Sequence, residues 1–150
     1  MIARIRKLNE EDLPALEQYD CDSAKIVLEE IKTNEDYSIY GIFLDLDNLV
    51  GFCALSSAEE NYTCYKYYTK ESKAISELYL KEDYNKITTL YCDLLDFVLH
   101  DKDNMEKIIY FDNVINLDKE YYDHLGFELI NDGILVRVPI QLNTNEEENE

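Results

Sequence analysis

The chain has 150 residues, 33 of them acidic and 14 basic, and so carries a net charge of −19 at neutral pH. That length fits one domain, and a hydrophobic content of 46% is enough to bury a core. No run approaches the roughly 18 consecutive apolar residues of a membrane span, and no clustered basic footprint offers itself to nucleic-acid phosphates.

The chain opens with a predicted strand from Ile2 to Leu8. The charges at Arg4, Arg6 and Lys7 fall where a secretion signal needs its apolar stretch. A helix follows, with Asp12 as the expected N-cap and Pro14 in the first turn, where a missing N–H costs nothing. Leu13, Leu16 and Tyr19 form its apolar stripe. A second helix is predicted over 23–32, with Ile26, Val27, Glu30 and Ile31 at helical spacing. Two strands, Tyr37 to Leu44 and Leu49 to Ser56, flank the polar turn Asp45-Leu46-Asp47-Asn48 and read as an antiparallel hairpin.

From Ser57 to Lys73 the pattern is lost, and the run Tyr62-Thr63-Cys64-Tyr65-Lys66-Tyr67-Tyr68 lies inside this stretch. A strand resumes over 74–80. The clearest helix spans Asn85 to His100, where Ile87, Leu90, Tyr91, Leu94, Leu95, Val98 and Leu99 recur every three or four residues. A short strand is expected from Lys107 to Asp112. Asn116 is the expected cap of a last helix, which Gly126 ends. Phe127 to Asn131 and Ile134 to Ile140 then pair across Asp132-Gly133. Residues 1–140 thus read as one domain of order β-α-α-β-β-β-α-β-α-β-β, a mixed central sheet with helices on its faces. The glutamate-rich tail 141–150 is expected to be disordered.

Cys21, Cys53, Cys64 and Cys92 form no Cys-x-x-Cys pair, and only His100 and His124 could complement them. Those spacings argue against a zinc site and against a disulfide framework, so a reduced, cytoplasmic protein without a metal is expected.

The element order, together with Tyr122-Asp123-His124-Leu125-Gly126-Phe127 near its end and Ile5-Arg6-Lys7-Leu8 before Asp12-Leu13-Pro14-Ala15-Leu16 at its start, resembles the GNAT N-acetyltransferase superfamily. The resemblance covers residues 1–140 and implies acetyl transfer from acetyl-coenzyme A to an amine. It implies a slot beside the fourth strand where the pantetheine arm pairs with backbone, here Glu77, Leu78, Tyr79 and Leu80. It also implies a diphosphate cradle at the opening of the next helix, which suits the positive end of a helix dipole. The family cradle is glycine-rich. This chain instead has Tyr84-Asn85-Lys86-Ile87-Thr88-Thr89-Leu90-Tyr91, with no glycine. Lys86 and the Thr88 and Thr89 hydroxyls are the expected phosphate contacts beside Ile87.

By the same resemblance Tyr122 is the acid that protonates the leaving thiolate. Glu77 is the residue that can accept the amine's proton. His124 reads as a surface residue, and His100 as a cation at a helix C-terminus. The tyrosine run 62–68 has two readings: faces that hold an ammonium group, with Glu59, Glu60 and Glu71 adding field, or a hairpin or homodimer contact. The expected partner is a cationic amine, either a small molecule or a peptide or protein amine, with no nucleic acid and no membrane. Two other classes stay open: a GNAT-like binding protein that has lost acetyl-coenzyme A, and an acidic protein that occupies basic sites.

Overall fold

The computed structural model describes residues 3–58, 62–113, 115–131 and 133–139. Their elements follow the predicted order. They fall into two compact units, one holding residues up to 56 with 75–98, the other the rest.

In the first unit β1 (Ala3–Lys7) pairs antiparallel with β2 (Ser38–Leu44), and β2 with β3 (Asn48–Ser57). The β2–β3 turn places Asp45 and Leu46 at φ 51° and 75°, the left-handed geometry that tight hairpins demand. Strand β4 (Lys73–Leu80) is the neighbour of β3.

The first helix starts differently from the expectation. A 3-10 turn over Glu10–Asp12 precedes α1 (Leu13–Glu17), and Asn9 caps it by accepting the Glu11 amide at 2.9 Å. Asp12 gives α1 no side-chain cap. Its carboxylate accepts two bonds from the Arg6 guanidinium, each 2.7 Å, and one from the Asn9 amide. A bidentate guanidinium fork outcompetes a single amide for the same oxygens.

Helix α2 (Asp22–Thr33) buries Ala24 and Val27, with Leu28 and Ile31 packed beside them. Ile26, placed in the apolar stripe by spacing, is instead 45% exposed. Residues 24, 27, 28 and 31 share one side of a 3.6-residue helix, and position 26 faces away from it. This face joins Leu16, Ile39, Phe43, Leu49, Phe52 and Ala54 in one core cluster. On β2, Tyr40 meets Phe97 of α3 (Thr88–His100) edge to face at 6.1 Å. Helix α3 begins later than the predicted Asn85, because Lys81, Tyr84 and Ile87 form successive turns first.

The second unit orders its strands β5 (Ile109–Asp112), β7 (Ile134–Arg137), β6 (Phe127–Asn131), all antiparallel. Helix α4 (Lys119–His124) follows Asp118, not Asn116. Asn116 has φ 52°, and the Asn113 side chain ties the loop by bonds to both the N–H and the C=O of Leu117. Gly126, at φ 90°, stops α4 as expected, and Gly133 turns the last hairpin at φ 78°. Ile140, Asp132 and the acidic tail lie outside the described residues.

Candidate functional site

Strand β4 carries most of the candidates. Glu77 is half-buried and turns toward α2, where its Oε2 accepts a hydrogen bond from Ser23 Oγ at 3.2 Å. Next to it, Ser76 Oγ lies 3.0 Å from the Tyr37 hydroxyl and 3.4 Å from the Ala54 carbonyl oxygen. Burial, with the nearby Glu77 and Glu30 charges, pushes the Tyr37 phenol up to about 12, while the Ser76 bond works the other way.

Tyr79 sits two residues on, on the same strand face as Glu77. Its ring meets Tyr19 at 5.9 Å and Phe52 at 5.3 Å. Burial pushes its phenol up too, with Cys21 beside it. Tyr19 donates its hydroxyl to the Leu49 carbonyl, and Lys81 Nζ stands 5.0 Å over the Tyr19 ring. Burial raises the Tyr19 phenol. Leu78 is half-buried and Leu80 buried, so this end of the strand is firmly seated. Gly51 of β3 lies against this end of β4: a Cβ there would come within 2.4 Å of the Tyr79 carbonyl oxygen.

From β4 the chain steps into α3 through turns that engage the amides of Tyr84, Ile87 and Leu90. The amides of Lys86, Thr88 and Thr89 fall outside that turn pattern, and first-turn helix amides have no intrahelical acceptor. Lys86 and Thr89 are exposed, while Ile87 and Thr88 are half-buried. Helix α3 has no acidic residue in its first turn. An amide-rich opening with one exposed lysine and two hydroxyls has the donor set a diphosphate needs.

The second unit holds Tyr122. It is half-buried on α4, as is its neighbour Tyr121, so burial does not single it out. On the same helix Lys119 pairs with Asp123, and His124 is exposed. Within this unit the tyrosine run packs on itself and on its neighbours. Tyr62 stacks on Tyr110 at 4.7 Å and 16°, Tyr65 lies 5.7 Å from Tyr110, and Tyr67 and Tyr68 pack on the same cluster with Ala58, Ala74, Ile108 and Val136. The cation over Tyr67 is the chain's own Lys66. Glu59 and Glu60 lie outside the described residues.

Sequence reasoning missed Ser23, Tyr37 and Arg137. Ser23 and Tyr37 carried no local signal, because what marks them is a contact with a strand roughly forty to fifty residues away. Arg137 is buried on β7 and donates to the carbonyls of Leu99, Asn104 and Lys107 at 3.1, 2.7 and 2.8 Å. Burial pulls its guanidinium down to about 10. A lone arginine inside the apolar run 134–138 was the one available hint. Among the described residues no group of three or more His, Cys, Asp or Glu is placed to hold a metal. No helix among the described residues is long and apolar enough to cross a membrane.

No protein-family model and no curated protein matches the sequence. Solved structures do match. One from Corynebacterium glutamicum, described as histone acetyltransferase HPA2 and related acetyltransferase, is 13% identical with a TM-score of 0.65 over 93% of this chain and 97% of its own. The ribosomal-protein-S18-alanine N-acetyltransferase of Escherichia coli is 15% identical with a TM-score of 0.62, covering 91% of this chain and 93% of its own. A GNAT-family N-acetyltransferase of Escherichia coli, solved in complex with CoA, is 19% identical with a TM-score of 0.61 over 90% of this chain and 80% of its own. At such identities the likeness speaks for the fold, and the mixed α/β fold of this chain is the GNAT acetyltransferase fold.

Proposed function

We propose that the protein is an N-acetyltransferase that moves an acetyl group from acetyl-coenzyme A to a primary amine on a cationic small molecule, peptide or protein. The observation that carries this reading is the passage from β4 into α3. A seated strand leads into a helix whose first turn presents amides and the Thr88 and Thr89 hydroxyls, with the exposed Lys86 two residues before it. These groups fit a diphosphate through hydroxyls and a lysine in place of glycines. Lys81, half-buried against Tyr19, adds a second positive charge nearby.

The co-substrate supplies an activated thioester carbonyl. Glu77 takes one proton from the acceptor's ammonium group, freeing the nitrogen lone pair. As the N–C bond forms and the C–S bond breaks, Tyr122 gives its phenolic proton to the leaving thiolate. The proton then shed by the new amide nitrogen restores the phenol. The acidic surface raises the local concentration of a cationic acceptor.

The absence of any glycine between Gly51 and Gly126 favours a second reading, a GNAT fold that no longer binds the coenzyme and works through its surface. Thermal unfolding with increasing acetyl-coenzyme A separates the two. Acetyltransferase function requires saturable stabilisation that Lys86→Glu weakens. A melting temperature that stays flat at high coenzyme concentration overturns it and leaves the binding protein. Turnover that is unchanged in Tyr122→Phe at every pH removes Tyr122 from the acid role.

A further inference from the structure

The contact between α2 and β4 carries a more specific statement. Among the described residues Glu77 is tied by a side-chain hydrogen bond from Ser23, 54 residues earlier in the chain. Ser23 is rigidly mounted. It sits in the first turn of α2, which is held by the Cys21 Sγ that accepts the Ala24 amide at 3.4 Å and by the fully buried Ala24 and Val27. The neighbours of Glu77 on β4 are likewise committed, Ser76 to Tyr37 and Tyr79 to the Tyr19–Phe52 rings.

Fastening one carboxylate oxygen leaves the other for a proton and removes rotamer freedom that would otherwise be lost at each turnover. A serine serves this purpose because its hydroxyl donates one bond and adds no charge that would compete with the incoming ammonium group.

We infer that Ser23 is the positioning residue for Glu77, so that the first turn of α2 sets the geometry of proton removal from the acceptor amine. This rests on the acetyltransferase reading, with Glu77 as the proton acceptor. It adds a residue with no counterpart in any sequence motif of the chain.

The test is a double-mutant cycle on the full chain, with coenzyme A thiol release as the readout and a polyamine and a lysine-containing peptide as acceptors. Glu77→Gln is expected to lower kcat about a hundredfold. Ser23→Ala is expected to lower kcat about tenfold, with the KM for acetyl-coenzyme A and the melting temperature unchanged. Ser23→Thr, which keeps the hydroxyl, should restore most of the rate. In the Glu77→Gln background Ser23→Ala should change nothing further, since its only route to the chemistry is gone.

An equal loss from Ser23→Ala in both backgrounds assigns Ser23 a structural role and overturns the inference. Full activity in Glu77→Gln overturns it while leaving the enzyme intact. Saturable coenzyme binding without turnover of either amine overturns it through the choice of base or acceptor class, and absence of coenzyme binding overturns the acetyltransferase reading itself.

Discussion

The two units use the same residue types in opposite ways. In the first, the Tyr37 hydroxyl meets a serine and Glu77 is within electrostatic reach of it, while Tyr19 donates to a carbonyl and supports Lys81 on its ring face. In the second, Tyr62, Tyr65 and Tyr110 spend their faces on one another, and the Tyr110 hydroxyl is buried with no partner among the described residues. One set of tyrosines gives its hydroxyls polar partners, and the other builds a core. Tyrosine content therefore says nothing about the role of a given tyrosine, whereas the partners of its hydroxyl group do.

The sharpest way to break this contrast is to attack the charge buried in the second unit. Arg137→Met removes the guanidinium bonds to three carbonyls, and losing a buried hydrogen bond to a charged donor costs about 1–3 kcal/mol. Denaturant unfolding should show a loss on the order of 3 kcal/mol or more, the largest of the series. A loss below about 1 kcal/mol would show that water replaces the guanidinium and that the loop is more open than described.

Gly51→Ala probes the first unit at its tightest point. The new methyl group meets the Tyr79 carbonyl and the Leu80 side chain at 2.4 Å, so β3 and β4 must separate. Overpacking of this kind costs about 1–3 kcal/mol. Because the displaced strand is the one proposed to hold the coenzyme, the melting temperature and acetyl-coenzyme A affinity should fall together. Loss of stability with affinity intact would remove this end of β4 from the binding surface.

Alkaline titration compares the two tyrosine sets directly. Tyr37 and Tyr110 are both pushed up to about 12, each chiefly by burial. Their folded-state values exceed the ordinary value near 10, so folding favours the protonated phenols. That support is complete below pH 10 and is lost as pH rises through 12. Absorbance at 295 nm should show these two ionising late in the titration, with unfolding setting in as they do. Tyr110→Phe sharpens the comparison: a hydroxyl without a partner contributes little, so stability should stay level or rise. Tyr37→Phe should lower it by about 1 kcal/mol.

The smallest effect belongs to the surface pair Arg6–Asp12. The Arg6 guanidinium holds the Asp12 carboxyl below its usual range. Its support is therefore present above the ordinary carboxylate value and lost as pH falls through the lowered one. Asp12→Asn should cost about 0.5–1 kcal/mol at pH 7 and nothing in strong acid. A constant difference across pH would mean that the Asn9 amide bond, and not the ion pair, is what matters.

Much of this molecule was legible in its sequence because the signals are local. The leucine spacing of α3, the stop at Gly126, the turn at 45–48 and the order of the elements depend on periodicity and backbone freedom within a few residues. The element order together with the motifs at 5–16 and 122–127 pointed to the fold. The failures were local competitions that spacing does not resolve. Asp12 was taken from its cap by Arg6, Asn116 was drawn into a left-handed turn, and Ile26 was turned outward by the face that Ala24 and Val27 had already claimed.

What only the tertiary structure decided is which polar groups meet. Ser23 reaches Glu77, Tyr37 reaches Ser76, and Arg137 reaches the end of α3 across separations of 54, 39 and 38 residues. A hydrogen bond depends on position in space to within tenths of an ångström, and no pattern along the chain encodes that for residues so far apart.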